Sequence, residues 1–300
     1  MNKRLKLAAL IGLATLLAAC VSTGGSAGGT KDEKAIAKGV SAWNSKEPAA
    51  AKSPWNGIED KVTKDKYLGY LGIYESGAKT LEGALLFKEG ETAKIAASYD
   101  KAYGYLSKLP AELKIPERDK ARALPMAEVR VRTHITAGNL ASARASAEGA
   151  QKLFGTTPAL EAMVKEIDML QAAQKRGADA DAQAQKALAT ENFDERMGLL
   201  DAAMSAYAKA DAALASDAAK LGLGKSPAVS AESARLKKKR QDLFIERERQ
   251  LREQAYYYKE LAGAEFARVP VGKKPGTLTL DELLAHHESV KAGITRVYDD

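Results

Sequence analysis

The sequence predicts an all-α protein built from irregular antiparallel helical hairpins, arranged as an α-solenoid or a helical bundle, with long helices towards the C-terminus. Alanine, the strongest helix former, is abundant, whereas the β-branched and aromatic residues that favour strands are sparse. Aromatic residues make up only 6% of the chain. Apolar residues also recur at steps of three and four, which is the spacing of one helix face.

Glycine and proline mark the ends of the predicted helices. The helices cover residues 31–44, 64–85, 92–109, 116–138, 140–154, 158–188, 192–221, 227–263 and 279–297. Pro48 and Pro54 bracket a break after the first helix, and Pro110 ends the third. Pro125 falls inside the fourth helix, where it should kink that helix or delay its start. The short connections between helices require antiparallel neighbours.

The segment of about residues 76–158 resembles tetratricopeptide repeats. The matching positions are Gly83, Gly90, Tyr99 and Ala102 in a first repeat, and Gly138, Asn139, Leu140, Ala143 and Ala150 in a second. Val131 and His134 stand where the second repeat would have a glycine and an aromatic residue. The two turn glycines are further apart than a regular repeat of about 34 residues allows. A plain helical bundle explains the same residues, so both architectures stay open.

The N-terminus resembles the signal of a bacterial lipoprotein. A short basic segment precedes the apolar run Leu7–Leu17, and Leu17-Ala18-Ala19-Cys20 matches the lipobox. This run is short for a membrane span and suits a signal peptide. The resemblance implies removal of residues 1–19, acylation of Cys20 and a lipid anchor in the cell envelope, on the extracytoplasmic side. Val21, in place of an aspartate, favours the periplasmic face of the outer membrane.

Cys20 is the only cysteine, so no disulfide can form within the chain. The alternatives are an ordinary secretory signal with a chance cysteine, or an N-terminal membrane anchor. Residues 20–30 read as the lipidated cysteine and a flexible Gly/Ser tether. Residues 31–155 then form the hairpin region and residues 156–300 the long-helix region.

Two sets of side chains are candidates for binding. Tyrosines share a stripe on each of two successive helices and, if the stripes face each other, could line a groove for a peptide or small ligand: Tyr67, Tyr70, Tyr74, Tyr99 and Tyr103. The alternative is that they fill the hairpin core. A basic run is by default a solvated helix face, and the functional alternative is contact with an anionic membrane surface or envelope polymer: Lys237, Lys238, Lys239 and Arg240.

Other patterns lack the context that their chemistry needs. Residues 219–226 satisfy a loose phosphate-loop pattern, but a helix precedes them where a strand is required, and Pro227 follows. His286 and His287 have no second ligand pair at a metal-binding spacing. We find no catalytic motif, and we expect neither an enzyme nor a cofactor or metal.

We therefore expect a lipid-anchored, non-enzymatic scaffold that binds an envelope protein. The alternative is a ligand-binding accessory lipoprotein of a transport system. The formal net charge of +7 falls by three when Lys3, Arg4 and Lys6 leave with the signal. Such a mild positive charge on an exported chain does not indicate nucleic-acid binding.

Overall fold

The computed structural model describes residues 29–88, 90–267 and 285, with the backbone alone for residues 261–267. All regular structure in these residues is helical, and they contain no strand. The predicted all-α class is therefore confirmed. The predicted helix at 279–297, the signal peptide, Cys20 and His286 and His287 lie outside the described residues.

The helices have the following bounds: α1 Lys31–Ser45, a 3-10 turn Pro48–Ala51, α2 Lys52–Asn56, α3 Lys61–Ala84, α4 Thr92–Leu106, α5 Glu117–Thr136, α6 Leu140–Phe154, α7 Pro158–Ala189, α8 Phe193–Lys220 and α9 Pro227–Ala267. The longest, α9, has 41 residues and so extends about 60 Å. Side chains cap several N-termini. Thr30 and Glu33 form a reciprocal capping box on α1, and Asn192 accepts a hydrogen bond from the Glu195 amide of α8.

Two predictions near prolines need correction. The segment 48–56, predicted as a break, forms the 3-10 turn and α2, and these place the Trp55 ring in the core. Pro125 does not delay the start of α5, which begins at Glu117 and continues through the proline. The residues around the proline pack into the core, since Ala123, Met126 and Ala127 are buried, and this packing accompanies an uninterrupted helix.

The chain divides into two compact units by its internal contacts. Among the described residues, unit 1 holds those up to Arg130 together with Glu148–Thr157, and unit 2 holds Val131–Ala147 together with those from Pro158 onward. Helices α5 and α6 each contribute residues to both units. The two units therefore alternate along the sequence.

Unit 1 is built around aromatic side chains and a close helix pair. Helix α3 packs on α4, and Gly77 of α3 lies directly beneath Leu106 of α4. A Cβ atom at Gly77 would lie 2.7 Å from the Leu106 side chain, which is why this crossing needs glycine. Gly39 of α1 likewise leaves space for the Trp55 ring, because a Cβ atom at position 39 would overlap that ring.

Unit 2 is a bundle of long helices with small residues in its seams. Helix α8 packs against both α7 and α9. Alanine is the commonest buried residue of α7 and α8, and larger apolar side chains lie between the alanines. The buried alanines are Ala173, Ala180, Ala184, Ala187, Ala203, Ala210 and Ala218. Val229, Leu236 and Leu243 are the buried apolar residues of α9 among those whose side chains the structure describes, and most of the helix is left in contact with solvent.

Candidate functional site

The tyrosines of α3 pack into an aromatic cluster with the two tryptophans of unit 1. The Tyr67 ring centroid lies 5.3 Å from that of Trp55, and the Tyr74 centroid lies 5.4 Å from that of Trp43. Tyr70 completes the row with an edge-to-face contact on Tyr67. These distances are those of favourable aromatic pairs. Tyr74 is buried, whereas Tyr67 and Tyr70 are half-buried.

The tyrosines of α4 belong to a different cluster. Tyr99 and Tyr103 both pack against Phe154 of α6, with ring centroids 6.2 Å and 6.4 Å apart. The two stripes therefore do not line one common groove. Sequence spacing placed each tyrosine on the correct helix face, but it could not show that Trp43, Trp55 and Phe154 would be the ring partners.

A buried carboxylate organises the α3 tyrosine cluster. The Tyr74 hydroxyl donates a hydrogen bond to Oδ2 of Asp119, at 2.6 Å, and Asp119 is only 1% exposed. Arg118 and Arg122 supply positive charge near the same carboxylate. Burial, with the bond to Asp119, raises the pKa of Tyr74 to about 12. This constellation is a satisfied structural network with its charges paired.

A second buried carboxylate, Glu166 in unit 2, binds the serine of the segment 219–226 that satisfies the phosphate-loop pattern. Glu166 is fully buried and accepts hydrogen bonds from Arg132 Nη1 at 2.5 Å and from Ser226 Oγ at 2.6 Å. The hydroxyl that a phosphate loop would offer to a metal is therefore engaged by Glu166. Helix α8 precedes this loop, as the sequence indicated.

Unit 1 contains a cleft of about 520 Å³ beside the α4 tyrosine cluster. Tyr103 is the predicted groove residue that lines it. The other lining residues come mainly from the end of α4, the segment 107–115 that follows it, and α6. Three of them are lysines: Lys114, Lys120 and Lys152. This volume lies within the usual range for small-molecule sites.

Unit 2 carries an open groove between α8 and α9 and an exposed apolar surface beside it. The groove encloses about 570 Å³ and is lined by Met204 and Ala208 of α8 and Phe244 of α9, among others. Phe244 is 53% exposed and its neighbour Ile245 58% exposed. Tyr256 and Tyr257, further along α9, are 66% and 54% exposed. We call Phe244, Ile245 and Tyr256 the α9 patch; Tyr257 faces nearly the opposite side of the helix from Phe244.

The basic run of α9 is partly neutralised by acidic residues within unit 2. Lys239 forms an ion pair with Asp181 at 3.1 Å, and Lys237 lies 3.7 Å from a carboxylate oxygen of Asp211. Lys238 and Arg240 are exposed, and Arg240 lines the groove. Contact of this run with an anionic surface stays a prediction, with two of its four cations already held by carboxylates.

Within the described residues, no three potential His, Cys, Asp or Glu ligands come together as a metal site would require. None of the helices in that same part of the chain is both long and apolar enough to span a bilayer. Comparisons with protein-family models, with curated proteins and with solved structures find no match to this chain.

Proposed function

We propose that the chain is a lipid-anchored, non-enzymatic helical scaffold of the bacterial cell envelope, which binds a protein partner through the α9 patch. The observation that carries this proposal is the exposure of the neighbours Phe244 and Ile245, with Tyr256 exposed on the same line of the helix as Ile245. Exposed apolar side chains grouped on one surface are a feature of protein-interaction surfaces.

The surroundings of the patch support this proposal. Ile245 and Tyr256 are about three turns apart on α9 and so point the same way. Arg249 and Arg252 occupy the two turns between them on that line of the helix. Tyrosine and arginine are the residues most enriched at the centres of protein interfaces. Arg249 is held in place by Glu246 and Glu253 on its own helix, at 2.6 Å and 2.5 Å.

The groove extends the patch towards α8. Phe244 contributes to both, because it is exposed and also lines the groove with Met204. An apolar partner side chain could enter beside Phe244 while polar contacts form along Arg249 and Arg252. Arginine beside aromatic and apolar anchors is a common composition of interface centres.

The anchor rests on the sequence of the first 20 residues. The lipobox Leu17–Cys20 supports acylation of Cys20, and the tether 21–30 would hold the helical body close to the membrane. We propose the periplasmic face of the outer membrane as its place. Mass spectrometry of the mature protein should find residues 1–19 removed and acyl chains on Cys20. An unmodified Cys20, or an N-terminus that retains residues 1–19, would refute the anchor.

A matched pair of double variants tests the patch. Phe244→Ser with Ile245→Ser removes two of its side chains, and Val62→Ser with Leu86→Ser removes two apolar residues of unit 1 that are still more exposed. Exposed substitutions of this kind change the free energy of unfolding by only about 0.5 kcal/mol, so both variants should fold. We expect the first to lose co-purifying envelope proteins, quantified after mild solubilisation, and the second to retain them. Equal recovery from both variants and the wild type would refute the patch.

A further inference from the structure

We propose that the cleft of unit 1 binds a small amphiphile with an anionic head group, a carboxylate or a phosphate, and an apolar body. This site is separate from the α9 patch and does not depend on the proposed scaffold function. It is lined in part by Tyr103, Leu113, Lys114, Lys120 and Lys152.

The apolar part of the cleft is preformed by the core of unit 1. Leu106, Leu113 and Ile115 line the cleft and are at most 5% exposed, so their positions are set by packing. Leu109 and Pro110 add further apolar surface. Apolar walls with a few convergent polar groups are typical of small-molecule sites.

The polar part of the cleft is cationic. Lys114 belongs to the segment after α4, Lys120 to α5 and Lys152 to α6, so three separate elements bring lysines to one cleft. Lys120 is paired with Glu117 at 2.8 Å. Neither Lys114 nor Lys152 has an ion pair within the described part of the chain. No carboxylate is among the described residues that line the cleft, so the cleft favours an anion over a cation.

The backbone of Lys114 is fixed by two bonds from α1. Its amide donates to Asn44 Oδ1 at 2.9 Å, and its carbonyl accepts from Trp43 Nε1 at 2.8 Å. The flexible ammonium is thereby carried on an ordered backbone at the edge of the cleft. Such preorganisation lowers the entropic cost of holding a ligand.

Tyr103 can supply a neutral hydrogen bond to the head group, and Gly149 makes room for it. A Cβ atom at position 149 would lie 2.6 Å from the Tyr103 hydroxyl. The absence of a side chain in α6 therefore lets the phenol lie between α6 and the cleft that both residues line. Its hydroxyl can donate to a carboxylate or phosphate oxygen.

Calorimetric titration of the purified protein with decanoate and decyl phosphate, both below their micellar concentrations, tests the site. Lys114→Gln with Lys152→Gln removes two of the lysines, and Lys34→Gln with Lys38→Gln removes the same charge from the exposed surface of α1. We expect the first variant to bind about tenfold more weakly and the second to match the wild type. Circular dichroism melting curves should show that both variants remain folded.

Two more ligands separate the contributions of charge and tail. Decyltrimethylammonium, titrated by itself, should bind more weakly than decanoate because the lysines repel its charge. Butyrate should also bind more weakly than decanoate, because it covers less of the apolar wall. Equal affinity of the two lysine variants, equal binding of the cationic amphiphile, or no gain from the longer tail would each overturn the proposal.

Vesicles distinguish a free amphiphile from a lipid head group in a bilayer. Flotation uses the chain from Val21 onward, which lacks Cys20 and so carries no acyl group. If the cleft takes head groups, this chain should float with phosphatidylglycerol vesicles, and the same chain with Lys114→Gln and Lys152→Gln should float less. If it takes free amphiphiles, the two should float equally while the calorimetric difference persists. Both outcomes agree with an anionic amphiphile site, and loss of the calorimetric difference contradicts it.

Discussion

At the residue scale, the core of unit 1 contains two buried tyrosines, Tyr74 and Tyr99, and their hydroxyl groups have different surroundings. Tyr74 delivers its hydroxyl to Asp119, whereas the Tyr99 hydroxyl is buried without a hydrogen-bond partner among the described residues. Burial raises the pKa of Tyr99, because the charged form would lose its hydration. Tyr74 and Tyr99 are 5% and 3% exposed. Removal of the hydroxyl should nevertheless lower the free energy of unfolding at Tyr74 and raise it at Tyr99.

Tyr99→Phe should leave the fold intact and increase its stability. The ring contacts with Tyr103 and Phe154 remain, while an unsatisfied hydroxyl is removed, so the free energy of unfolding should rise by about 1 kcal/mol. Urea denaturation at neutral pH measures this change. The control is Tyr103→Phe, whose half-buried hydroxyl lies at the cleft and should change stability little. A loss of stability in Tyr99→Phe would show that its hydroxyl is bonded.

Tyr74→Phe should lower stability and weaken its dependence on alkaline pH. The pKa of Tyr74 rises from 10.0 to about 12 in the folded protein, so the unfolded chain loses this proton first. The stabilisation that the protonated Tyr74 contributes is complete below pH 10 and is lost as the pH rises through about 12. Losing a hydrogen bond to a carboxylate should cost about 1.5–3 kcal/mol at neutral pH.

Urea denaturation at a series of alkaline pH values measures this effect. Between pH 10 and 12, the free energy of unfolding should fall less steeply in Tyr74→Phe than in the wild type. Tyr70→Phe, which alters a half-buried tyrosine on the same helix, is the control for general alkaline unfolding. Parallel curves for the wild type and Tyr74→Phe would contradict the assignment.

At the element scale, the crossing of α3 and α4 depends on one glycine. Gly77→Ala gains helix propensity but drives a Cβ atom to 2.7 Å from Leu106, so it should destabilise the protein by about 1–3 kcal/mol. Gly72→Ala, in the same helix with no atom within 4 Å of its Cβ position, should instead stabilise it by about 0.5–1 kcal/mol. Thermal melts of the two variants should shift in opposite directions. A shared direction would mean that α3 and α4 do not approach closely at Gly77.

Helix bounds were the most predictable part of the structure, because capping and periodicity are local. The prediction for 140–154 coincides with α6. That for 158–188 differs from α7 by one residue at its C-terminal end, and that for 192–221 differs from α8 by one residue at each end. Local sequence signals predicted the wrong secondary structure near two prolines, where tertiary packing determines the backbone conformation. Burial of Trp55 accompanies helix α2 in a proline-bracketed segment, and α5 carries Pro125 in its interior.

At the scale of the whole molecule, the candidate sites were less predictable than the helices. The sequence identified the tyrosine stripes, but their partners come from distant segments: Trp43, Trp55 and Phe154. The lysine-lined cleft has no sequence signature, since Lys114, Lys120 and Lys152 belong to different elements. The exposed residues of α9 were partly foreseeable, because three consecutive tyrosines at 256–258 cannot all face one seam.

The central claim is that an envelope protein docks on the α9 patch of an anchored molecule. The most direct measurement is photo-crosslinking in living cells, with a photoreactive amino acid placed at Phe244 and, as the control, at the exposed Leu86 of unit 1. The account predicts a discrete protein adduct from position 244 that is absent from position 86. No adduct from position 244, or the same adducts from both positions, would contradict it.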